Sequence, residues 1–464
     1  MTETIRIVSP VDGKVYAERP LASDVSVDAA LTAAHASQAQ WRATPLAKRA
    51  EILTAAVAVM NANKDKIAEE LAWQMGRPVR YSAGEIARGF TERAEYMSAI
   101  AAEALADIEV APKDGFKRCI RREPVGTVFV IAPWNYPFLT AVNTIWPALL
   151  AGNAVILKHA SQTMLVGERF QEALDKAGLP KGLFRNLVLT HQQATRIIQS
   201  GKVNHVAFTG SVEGGRAIER ATAGHFLGVG LELGGKDPAY VRADANLEHA
   251  VENLVDGSFF NSGQSCCGIE RIYVDKKVYP KFIDGFVALT RQYVLGSPLE
   301  QATTLGPMVT AKAADFVRGQ IEAAVRGGAK AHIDAKAFPR DAKGSPYLAP
   351  QVLTEVNHQM AVMREESFGP VIGIMPVSGD GEAVKLMNDS PYGLTAAVWT
   401  SDLAAAERLG GQIETGTVFM NRCDYLDPAL AWTGVKETGK GVTLSRLGYE
   451  ALTRAKSYHL RHTI

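Results

Sequence analysis

Short apolar runs rich in β-branched residues alternate with longer segments of helical spacing from residue 125 onward. The first apolar runs lie at 125–132, 154–157, 184–189, 205–208 and 228–233, with helix-like segments at 161–177, 192–199 and 212–221. This succession predicts βαβ units and therefore a parallel sheet. A second series of the same kind runs from Asp237 to Asn421. We therefore predict an α/β protein with two open parallel sheets of the Rossmann type.

The remaining segments differ from this alternation. The first hundred residues have mainly helical spacing, with segments at 24–42, from Thr44-Pro45 to 60, at 64–75 and at 83–106. We expect the Thr44 hydroxyl to cap the second of these helices, with Pro45 at its first position. Two basic, weakly alternating runs, at 116–124 and 445–464, resemble exposed strands with little apolar surface of their own. Because such strands need a partner, we expect both runs to pair with other strands, in this chain or in another.

Charge and composition exclude several classes of function. Fifty basic residues balance forty-nine acidic ones, so no basic excess indicates a nucleic-acid partner. The four cysteines are too few and too irregularly spaced to predict a disulfide framework or a zinc site, and we predict no metal. Prolines and asparagines interrupt the apolar region at 125–157, so we expect no membrane span. The N-terminus has no signal-peptide pattern, which makes the cytoplasm the expected location.

Two adjacent cysteines, Cys266 and Cys267, lie in a small, polar segment at 259–268, Phe-Phe-Asn-Ser-Gly-Gln-Ser-Cys-Cys-Gly. This segment follows an apolar stretch of helical spacing at 247–260. A cysteine on such a turn can be exposed and close to backbone N–H groups, which favours the nucleophilic thiolate. The alternative is that both cysteines are small buried hydrophobic residues. A catalytic role also needs a base, an oxyanion donor and an electron acceptor.

Candidates for the base and the oxyanion donor lie on a predicted strand or directly after one. Asn135 lies in the turn Pro-Trp-Asn-Tyr-Pro at 133–137, where a rigidly held amide N–H can stabilise an oxyanion. The alternative is an asparagine that only caps its own turn. Glu232 stands between two leucines, a setting that demands a partner or a raised pKa and suits a general base. For Glu232 the alternative is a structural ion pair.

Three further segments are candidates for binding a nucleotide cofactor. The sequence Phe-Thr-Gly-Ser at 208–211 closes a strand and opens a helix, which lets a phosphate approach the backbone, although any tight strand-to-helix turn looks similar. Lys158, just past a strand, can donate to a ribose or phosphate, or is simply a solvated lysine. Glu366, in the segment 365–370, can accept hydrogen bonds from a sugar, or caps its own turn.

Taken together and in this order, these motifs resemble the aldehyde dehydrogenase family over essentially the whole chain. The resemblance implies that Cys266 is the catalytic thiol and Cys267 only its neighbour. It also implies that Glu232 is the general base and Asn135 the oxyanion-hole amide. The implied cofactor is NAD or NADP, and the residues implied in its site are Trp134, Lys158, Ser161, Gly210, Ser211, Gly215, Leu233, Glu366 and Phe368.

The resemblance also implies a division into domains. A cofactor-binding domain is expected at 1–105 and 125–234, and a catalytic domain at 235–433. A small β arm is expected at 106–124 and 445–464. In the family the matching arm pairs with another subunit, so a homodimer or homotetramer is expected here.

The chain departs from the common family pattern in three places. His159 stands where many relatives carry proline. Ser161 stands where relatives selective for NAD carry a glutamate; losing that carboxylate removes repulsion of a 2′-phosphate, so NADP becomes acceptable. The stretches at 268–274 and 420–422 resemble the lactaldehyde and succinic-semialdehyde branches, which favours a small polar aldehyde as substrate.

The implied reaction is oxidation of an aldehyde to its carboxylic acid through a cysteine adduct and a thioester. A CoA-acylating dehydrogenase of the same fold is one alternative, but such relatives generally lack the glutamate base. A catalytically silent structural or binding protein is another, although every proposed catalytic residue is present. The substrate pocket is expected to draw on Gly89, Phe90, Tyr136, Phe138, Phe260, Ser265, Arg422 and Tyr425.

Overall fold

The computed structural model describes residues 3–464, so the first two residues of the expected cofactor-binding segment lie outside the described residues. Within this range the chain forms eighteen strands. In chain order they are β1 (Thr4–Val8), β2 (Val15–Pro20), β3 (Ile108–Glu109), β4 (Phe116–Pro124), β5 (Thr127–Ala132), β6 (Ala154–His159), β7 (Phe184–Asn186), β8 (His205–Thr209), β9 (Gly228–Glu232), β10 (Asp237–Val241), β11 (Ile269–Asp275), β12 (Lys330–Ala331), β13 (Gln351–Thr354), β14 (Val371–Val377), β15 (Thr395–Trp399), β16 (Thr417–Met420), β17 (Gly439–Lys440) and β18 (Thr453–Arg461).

Fifteen α-helices connect and cover these strands within the described range. They are α1 (Asp24–Trp41), α2 (Leu46–Ala62), α3 (Lys64–Met75), α4 (Val79–Gly84), α5 (Thr91–Ala104), α6 (Pro137–Ala151), α7 (Met164–Lys176), α8 (His191–Gln199), α9 (Val212–Thr222), α10 (Leu247–Phe259), α11 (Tyr279–Thr290), α12 (Ala311–Arg326), α13 (Ala361–Arg364), α14 (Asp380–Asn388) and α15 (Leu403–Gly410). A π-helical segment, Glu85–Phe90, joins α4 to α5.

Two open sheets confirm the predicted α/β class. The first has the order β17-β9-β8-β5-β6-β7, and all of its strands are parallel except β17. The second has the order β12-β13-β14-β11-β10-β15-β16 and is parallel except for β12. Both are covered by helices, which is why β5 and β10 are buried along their whole length.

Each sheet has its own apolar core. One cluster joins β5, β6 and β8 to the helices of the first 150 residues. The second sheet separates two clusters: Ala239 and Val241 of β10 face one, and Tyr240 faces the other. This alternation follows from the two-residue period of a strand.

The two basic runs pair with each other, so each finds within this chain the strand partner that its sequence requires. β18 and β4 form a nine-residue antiparallel register from Thr453–Pro124 to Arg461–Phe116, and β3 adds a short third strand. The strand part of the C-terminal run begins only at Thr453, after a 3₁₀ segment at 446–452. In the part of the chain that the structure describes, the outer edge of β18 has no strand beside it.

One local expectation is wrong, and one helix was not predicted. Thr44 does not cap α2: the helix begins at Leu46 with Pro45 at its cap position, and the Thr44 hydroxyl donates to Gln40 O instead. The sequence also did not single out α6, whose 15 residues lie in the middle of the apolar stretch at 125–157. This helix is buried on nearly all sides, so it lacks the amphipathic period by which helices are found in a sequence.

Candidate active site

The candidate residues converge because parallel strands end at one edge of the first sheet. β5 is followed by Asn135, β8 by Gly210, and β9 ends on Glu232. Ligands of open α/β sheets bind at these carboxyl ends. The sheet topology therefore brings together residues that lie up to about a hundred positions apart in sequence.

A strained turn after α10 presents the two cysteines. Asn261, Ser262 and Gly263 all have positive φ, at 54°, 57° and 70°. A side chain on Gly263 would meet Gly369 O at 2.4 Å, so only glycine fits there. Gln264 then fixes the turn, because its side chain donates to Asn261 O at 3.0 Å and accepts from Val309 N at 2.8 Å. The cysteines thus stand on a rigid turn.

The two cysteines differ in environment. Cys267 is 3% exposed, and its Sγ donates to Asp424 Oδ1 at 2.9 Å, an oxygen that also accepts from Ser265 Oγ at 2.9 Å. A hydrogen bond to Cys266, burial and the Asp424 charge raise the pKa of the Cys267 thiol well above its usual value. Cys266 is only partly buried and borders two cavities. Cys267 is thus held as a neutral thiol, while Cys266 is accessible.

Asn135 is tied directly to the cysteine turn. Its side-chain Nδ2 donates to Gln264 O at 3.2 Å, two residues before Cys266. Its own carbonyl accepts from Asn261 Nδ2 at 3.2 Å. Asn135 is 4% exposed and borders one of the two cavities beside Cys266. Because an amide carries two hydrogens, one remains available after the bond to Gln264 O.

A buried ion pair that the sequence did not reveal supports the Asn135 turn. Arg77 pairs with Glu85, both side chains being 2% exposed, and also donates to Asn135 O. Glu85 Oε1 in turn accepts from the backbone N–H groups of Phe138 and Leu139, at 2.9 and 3.3 Å, and so caps α6. Arg77 and Glu85 are eight residues apart in the sequence. This spacing does not distinguish a buried ion pair from two charged side chains exposed to solvent, so the sequence could not reveal the pair.

Glu232 lies where both cavities meet. Its carboxylate accepts from Thr209 Oγ1 at 3.1 Å and from Thr443 Oγ1 at 2.5 Å. Burial raises the pKa of Glu232 above its ordinary value, and the two hydroxyl donors partly oppose that shift. A carboxyl group of raised pKa, held by neutral donors, is suited to accepting a proton from water.

One cavity, of about 250 Å³, lies beside the turn between β8 and α9. Ser211 caps α9 by accepting from Gly214 N at 3.2 Å, which leaves a helix N-terminus at the cavity wall. Gly215 lets α9 lie close to Leu233, since a side chain there would meet Leu233 Cδ1 at 2.6 Å. The wall is formed by Pro133, Trp134, Asn135, Thr209, Gly210, Ser211, Glu232, Leu233, Gly234, Cys266, Glu366 and Phe368.

Glu366 and Phe368 are fixed at this wall by a second buried pair. The Lys236 Nζ atom lies 2.5 Å from Glu270 Oε2. The Glu270 carboxylate also accepts hydrogen bonds from the backbone N–H groups of Ser367 and Phe368. Glu366 accepts from Gly235 N at 2.9 Å, and burial followed by the Glu270 charge raises its pKa to about 7. The ring of Phe368 packs edge-on against Trp134, with centroids 5.6 Å apart.

Lys158 and Ser161 lie at the end of β6, apart from that wall. Lys158 is 5% exposed, and within the described residues its ammonium has no hydrogen-bond partner, while burial lowers its pKa. Ser161 is exposed at the start of a 3₁₀ turn. His159 between them is buried and bonds Pro137 O and Thr163 Oγ1, each at 3.2 Å. Burial lowers the pKa of His159 to about 4, so it is a neutral structural link between β6 and α6.

The second cavity beside Cys266, which we call the inner cavity, has a volume of about 290 Å³. Of the expected lining residues, Gly89, Tyr136, Phe260, Ser265 and Tyr425 border it. Three others do not: Phe90 and Phe138 are core residues, and Arg422 is exposed with its guanidinium 3.8 Å from the Tyr425 ring centroid. Lining residues that the sequence did not indicate are Glu92, Arg93, Leu139, Thr140, Asn143, Asp256, Leu394, Asp424, Leu426 and Trp432.

An open groove leads to the inner cavity and shares part of its wall. This outer groove is bordered by Arg88 and Glu95, and it shares Gly89, Tyr136 and Phe260 with the inner cavity.

Across residues 3–464, no helix is long and apolar enough to cross a membrane. In the same range no group of three or more His, Cys, Asp or Glu side chains is placed to hold a metal ion.

A thiol and a partly buried carboxylate that border the same cavity, at the edge of a parallel sheet, suit the chemistry of a thiol-dependent oxidoreductase. The chain belongs to the aldehyde dehydrogenase family, whose family model matches residues 1–458. This confirms the predicted family and the predicted enzyme class, an aldehyde-oxidising oxidoreductase.

Relatives match over nearly the whole chain. The succinate-semialdehyde dehydrogenase [NADP(+)] of Mycobacterium avium is 33% identical over 458 residues, covering 98% of this chain and 96% of that protein. The succinic semialdehyde dehydrogenase of Streptococcus pyogenes, solved with NADP+, superposes with a TM-score of 0.93 at 27% identity, covering 98% and 100% of the two chains. An NAD-dependent aldehyde dehydrogenase from Sinorhizobium meliloti superposes with a TM-score of 0.94 at 30% identity, covering 99% and 92%.

Proposed function

We propose that this chain oxidises a small polar aldehyde, such as a semialdehyde, to its carboxylic acid with NAD or NADP. We further propose Cys266 as nucleophile, Glu232 as general base and Asn135 as oxyanion donor. The observation that carries the proposal is that Cys266 and Glu232 border both cavities at once. A substrate in the inner cavity and a cofactor in the other would meet at these two residues.

The chemistry follows from these positions. The Cys266 thiolate adds to the aldehyde carbon, and the negative charge that develops on oxygen is stabilised by the free amide hydrogen of Asn135. NAD or NADP supplies the acceptor for the hydride that leaves the aldehyde carbon. Glu232 then takes a proton from water, whose oxygen attacks the Cys266 thioester carbon and releases the acid and the thiol. Cys267 takes no part, since its thiol is committed to Asp424.

The residues present fit a nicotinamide dinucleotide. Lys158 is a buried ammonium without a partner among residues 3–464 and can serve a ribose or phosphate. The Ser211-capped helix N-terminus suits a phosphate, since its free N–H groups attract negative charge. Trp134, Gly210, Gly215, Leu233, Glu366 and Phe368 complete the proposed site. Exposed Ser161 presents no carboxylate to repel a 2′-phosphate, so both NAD and NADP are accepted.

We also propose the larger organisation. Residues 1–105 with 125–234 form the cofactor-binding domain, 235–433 the catalytic domain, and 106–124 with 445–464 an arm that supports a homodimer or homotetramer. The free edge of β18 supports this assembly, because unpaired strand edges recruit other chains. A cytoplasmic location is part of the same proposal.

The proposal is tested by following NAD(P)H absorbance with a panel of short carboxy-, hydroxy-, amino- and unsubstituted aldehydes, with and without CoA. We expect NAD(P)H formation without CoA, together with stoichiometric carboxylic acid. Turnover that depends strictly on CoA would establish the CoA-acylating alternative instead. No turnover with any aldehyde would indicate the catalytically silent alternative.

A further inference from the structure

Arg93 is a buried arginine on the wall of the inner cavity that also contains Cys266. It lies in α5, is 6% exposed, and borders this cavity together with Cys266 and Glu232. Burial lowers its pKa, yet an arginine remains charged in proteins. A charge in such a position needs compensation, because an unpaired buried ion is costly.

The protein provides only part of that compensation. Nη1 donates to Leu139 O at 2.7 Å and to Asn143 Oδ1 at 3.2 Å, both neutral acceptors. Among residues 3–464, Arg93 forms no ion pair with a carboxylate, and its Nε and Nη2 have no acceptor. The guanidinium therefore keeps two donor nitrogens without an acceptor, and the carboxylates of Glu232, Glu85 and Asp424 act on its charge without forming an ion pair.

Asn143 provides a second, independent observation. It is 2% exposed, borders the same cavity, and its Nδ2 is buried without a hydrogen-bond partner in the described part of the chain. The bond from Arg93 fixes its amide with the oxygen toward the guanidinium and the NH₂ group away from it. Buried unsatisfied donors of this kind are rare and indicate a missing acceptor.

The acidic residues of the cavity do not supply that acceptor. Asp424 Oδ1 is engaged by Ser265 and Cys267. Glu92 is exposed and accepts from the Tyr425 hydroxyl at 2.6 Å. Asp256 is exposed. Glu232, the fourth carboxylate of the cavity, accepts from Thr209 and Thr443. Each carboxylate of the cavity therefore lies near solvent or is held by other donors, and none is bonded to Arg93.

We propose that Arg93, held in place by its bond to Asn143, binds an anionic group, a carboxylate, carried by the aldehyde substrate, and thereby selects anionic aldehydes. The inference rests on the proposed function and names its substrate class. A carboxylate offers two acceptor oxygens and a negative charge, and the unpaired donor nitrogens of a guanidinium bind such a group well. Binding it there would hold the aldehyde group of the same molecule inside the cavity that Cys266 borders.

The test compares three four-carbon aldehydes that differ only in their far end: succinic semialdehyde, butanal and 4-aminobutanal. Wild-type enzyme is expected to prefer succinic semialdehyde. Arg93→Met keeps the length of the side chain and removes the charge, so kcat/KM for succinic semialdehyde should fall roughly 10- to 100-fold, mainly through KM. Butanal oxidation should be unchanged. Arg88→Met, which removes an arginine of the outer groove, is the matched control and should leave the preference intact.

Several outcomes would overturn the proposal. An equal loss with succinic semialdehyde and butanal would show that Arg93 acts only on the structure. An unchanged kcat/KM for succinic semialdehyde would show that Arg93 does not contact it. A wild-type preference for 4-aminobutanal would show that the exposed carboxylates select a cationic substrate instead.

A binding measurement keeps the inference separate from catalysis and from folding of the variant. Calorimetric titration of wild-type enzyme with butyrate and with butylamine needs no turnover. We expect butyrate to bind and to compete with any aldehyde that is oxidised, and Arg93→Lys to retain part of this binding. Butylamine binding as tightly as butyrate would overturn the inference. If no aldehyde is oxidised but butyrate still binds through Arg93, the proposed function fails while the anion site stands.

Discussion

Cys267 Sγ donates to Asp424 Oδ1 at 2.9 Å, whereas the preceding residue, Cys266, borders both cavities. Two cysteines that are equivalent in the sequence thus have opposite environments. One is a buried thiol that holds a loop, and the other is an accessible sulfur beside Glu232. The carboxylate of Asp424 favours the protonated form of Cys267, since like charges repel.

The two cysteines are therefore expected to respond differently to substitution. Cys266→Ala should lower aldehyde oxidation by at least roughly a thousandfold, because it removes the nucleophile, while NAD(P) still binds as measured by fluorescence. Cys267→Ala is the matched control, and it should retain activity with some loss of thermal stability. The reverse result, with activity lost only in Cys267→Ala, would show that the nucleophile is wrongly assigned.

Glu232 is expected to act after the first NAD(P)H is formed. Glu232→Gln should leave a rapid burst of NAD(P)H in stopped-flow absorbance but slow the following turnover roughly a hundredfold, because hydrolysis lacks its base. A general base must be deprotonated, and burial raises the pKa of Glu232. Steady-state turnover of the wild type should therefore fall as the pH is lowered toward this raised pKa. Loss of the burst in a folded variant would place Glu232 earlier in the reaction.

Ser161 is expected to permit NADP. Ser161→Glu places a carboxylate at an exposed position just past Lys158, so kcat/KM for NADP should fall roughly tenfold more than that for NAD. Ser161→Gln has a similar size without the charge and serves as the control. A wild-type enzyme that strongly prefers NAD would show that other residues exclude the 2′-phosphate.

Glu366 is expected to make stability depend on pH. Its folded-state pKa of about 7 lies above the ordinary value of 4.5, so its stabilising contribution is full below the ordinary value and is lost as pH rises through 7. Relative to Glu366→Gln, the wild type should lose about 3 kcal/mol of unfolding free energy across this window. Chemical denaturation at several pH values measures this difference, and parallel pH curves for the two proteins would contradict it.

The arm formed by β3, β4 and β18 is expected to support oligomers. Ile108 and Leu460 on this arm are 44% and 50% exposed, an unusual position for apolar side chains beside a free strand edge. Ile108→Asp with Leu460→Asp should shift the mass measured by light scattering toward the monomer. Leu403→Asp, at a 62% exposed position on α15, is the control. A wild-type monomer at micromolar concentration would refute the proposed assembly.

Local pattern was sufficient to predict much of the fold. The strand–helix alternation predicts β5, β6, β8 and β9 within one or two residues, because both the apolar run and the turn residues that end it are visible in the sequence. It could not reveal α6, which is apolar on nearly all sides. Nor could it show that β4 and β18 pair with each other, since pairing depends on chain direction and register rather than on composition.

The same division holds for the site. The sequence by itself determined the residue types and the order of Asn135, Glu232 and the Cys266 turn, because each stands at or just after the end of a recognisable strand or helix. Only the tertiary structure decided that Cys267 faces Asp424, that Arg77 and Glu85 hold the Asn135 turn, and that Arg93 and Asn143 share a cavity wall with Cys266. These contacts join residues on different elements, and whether a charge is buried, paired or free depends on packing that no local spacing encodes.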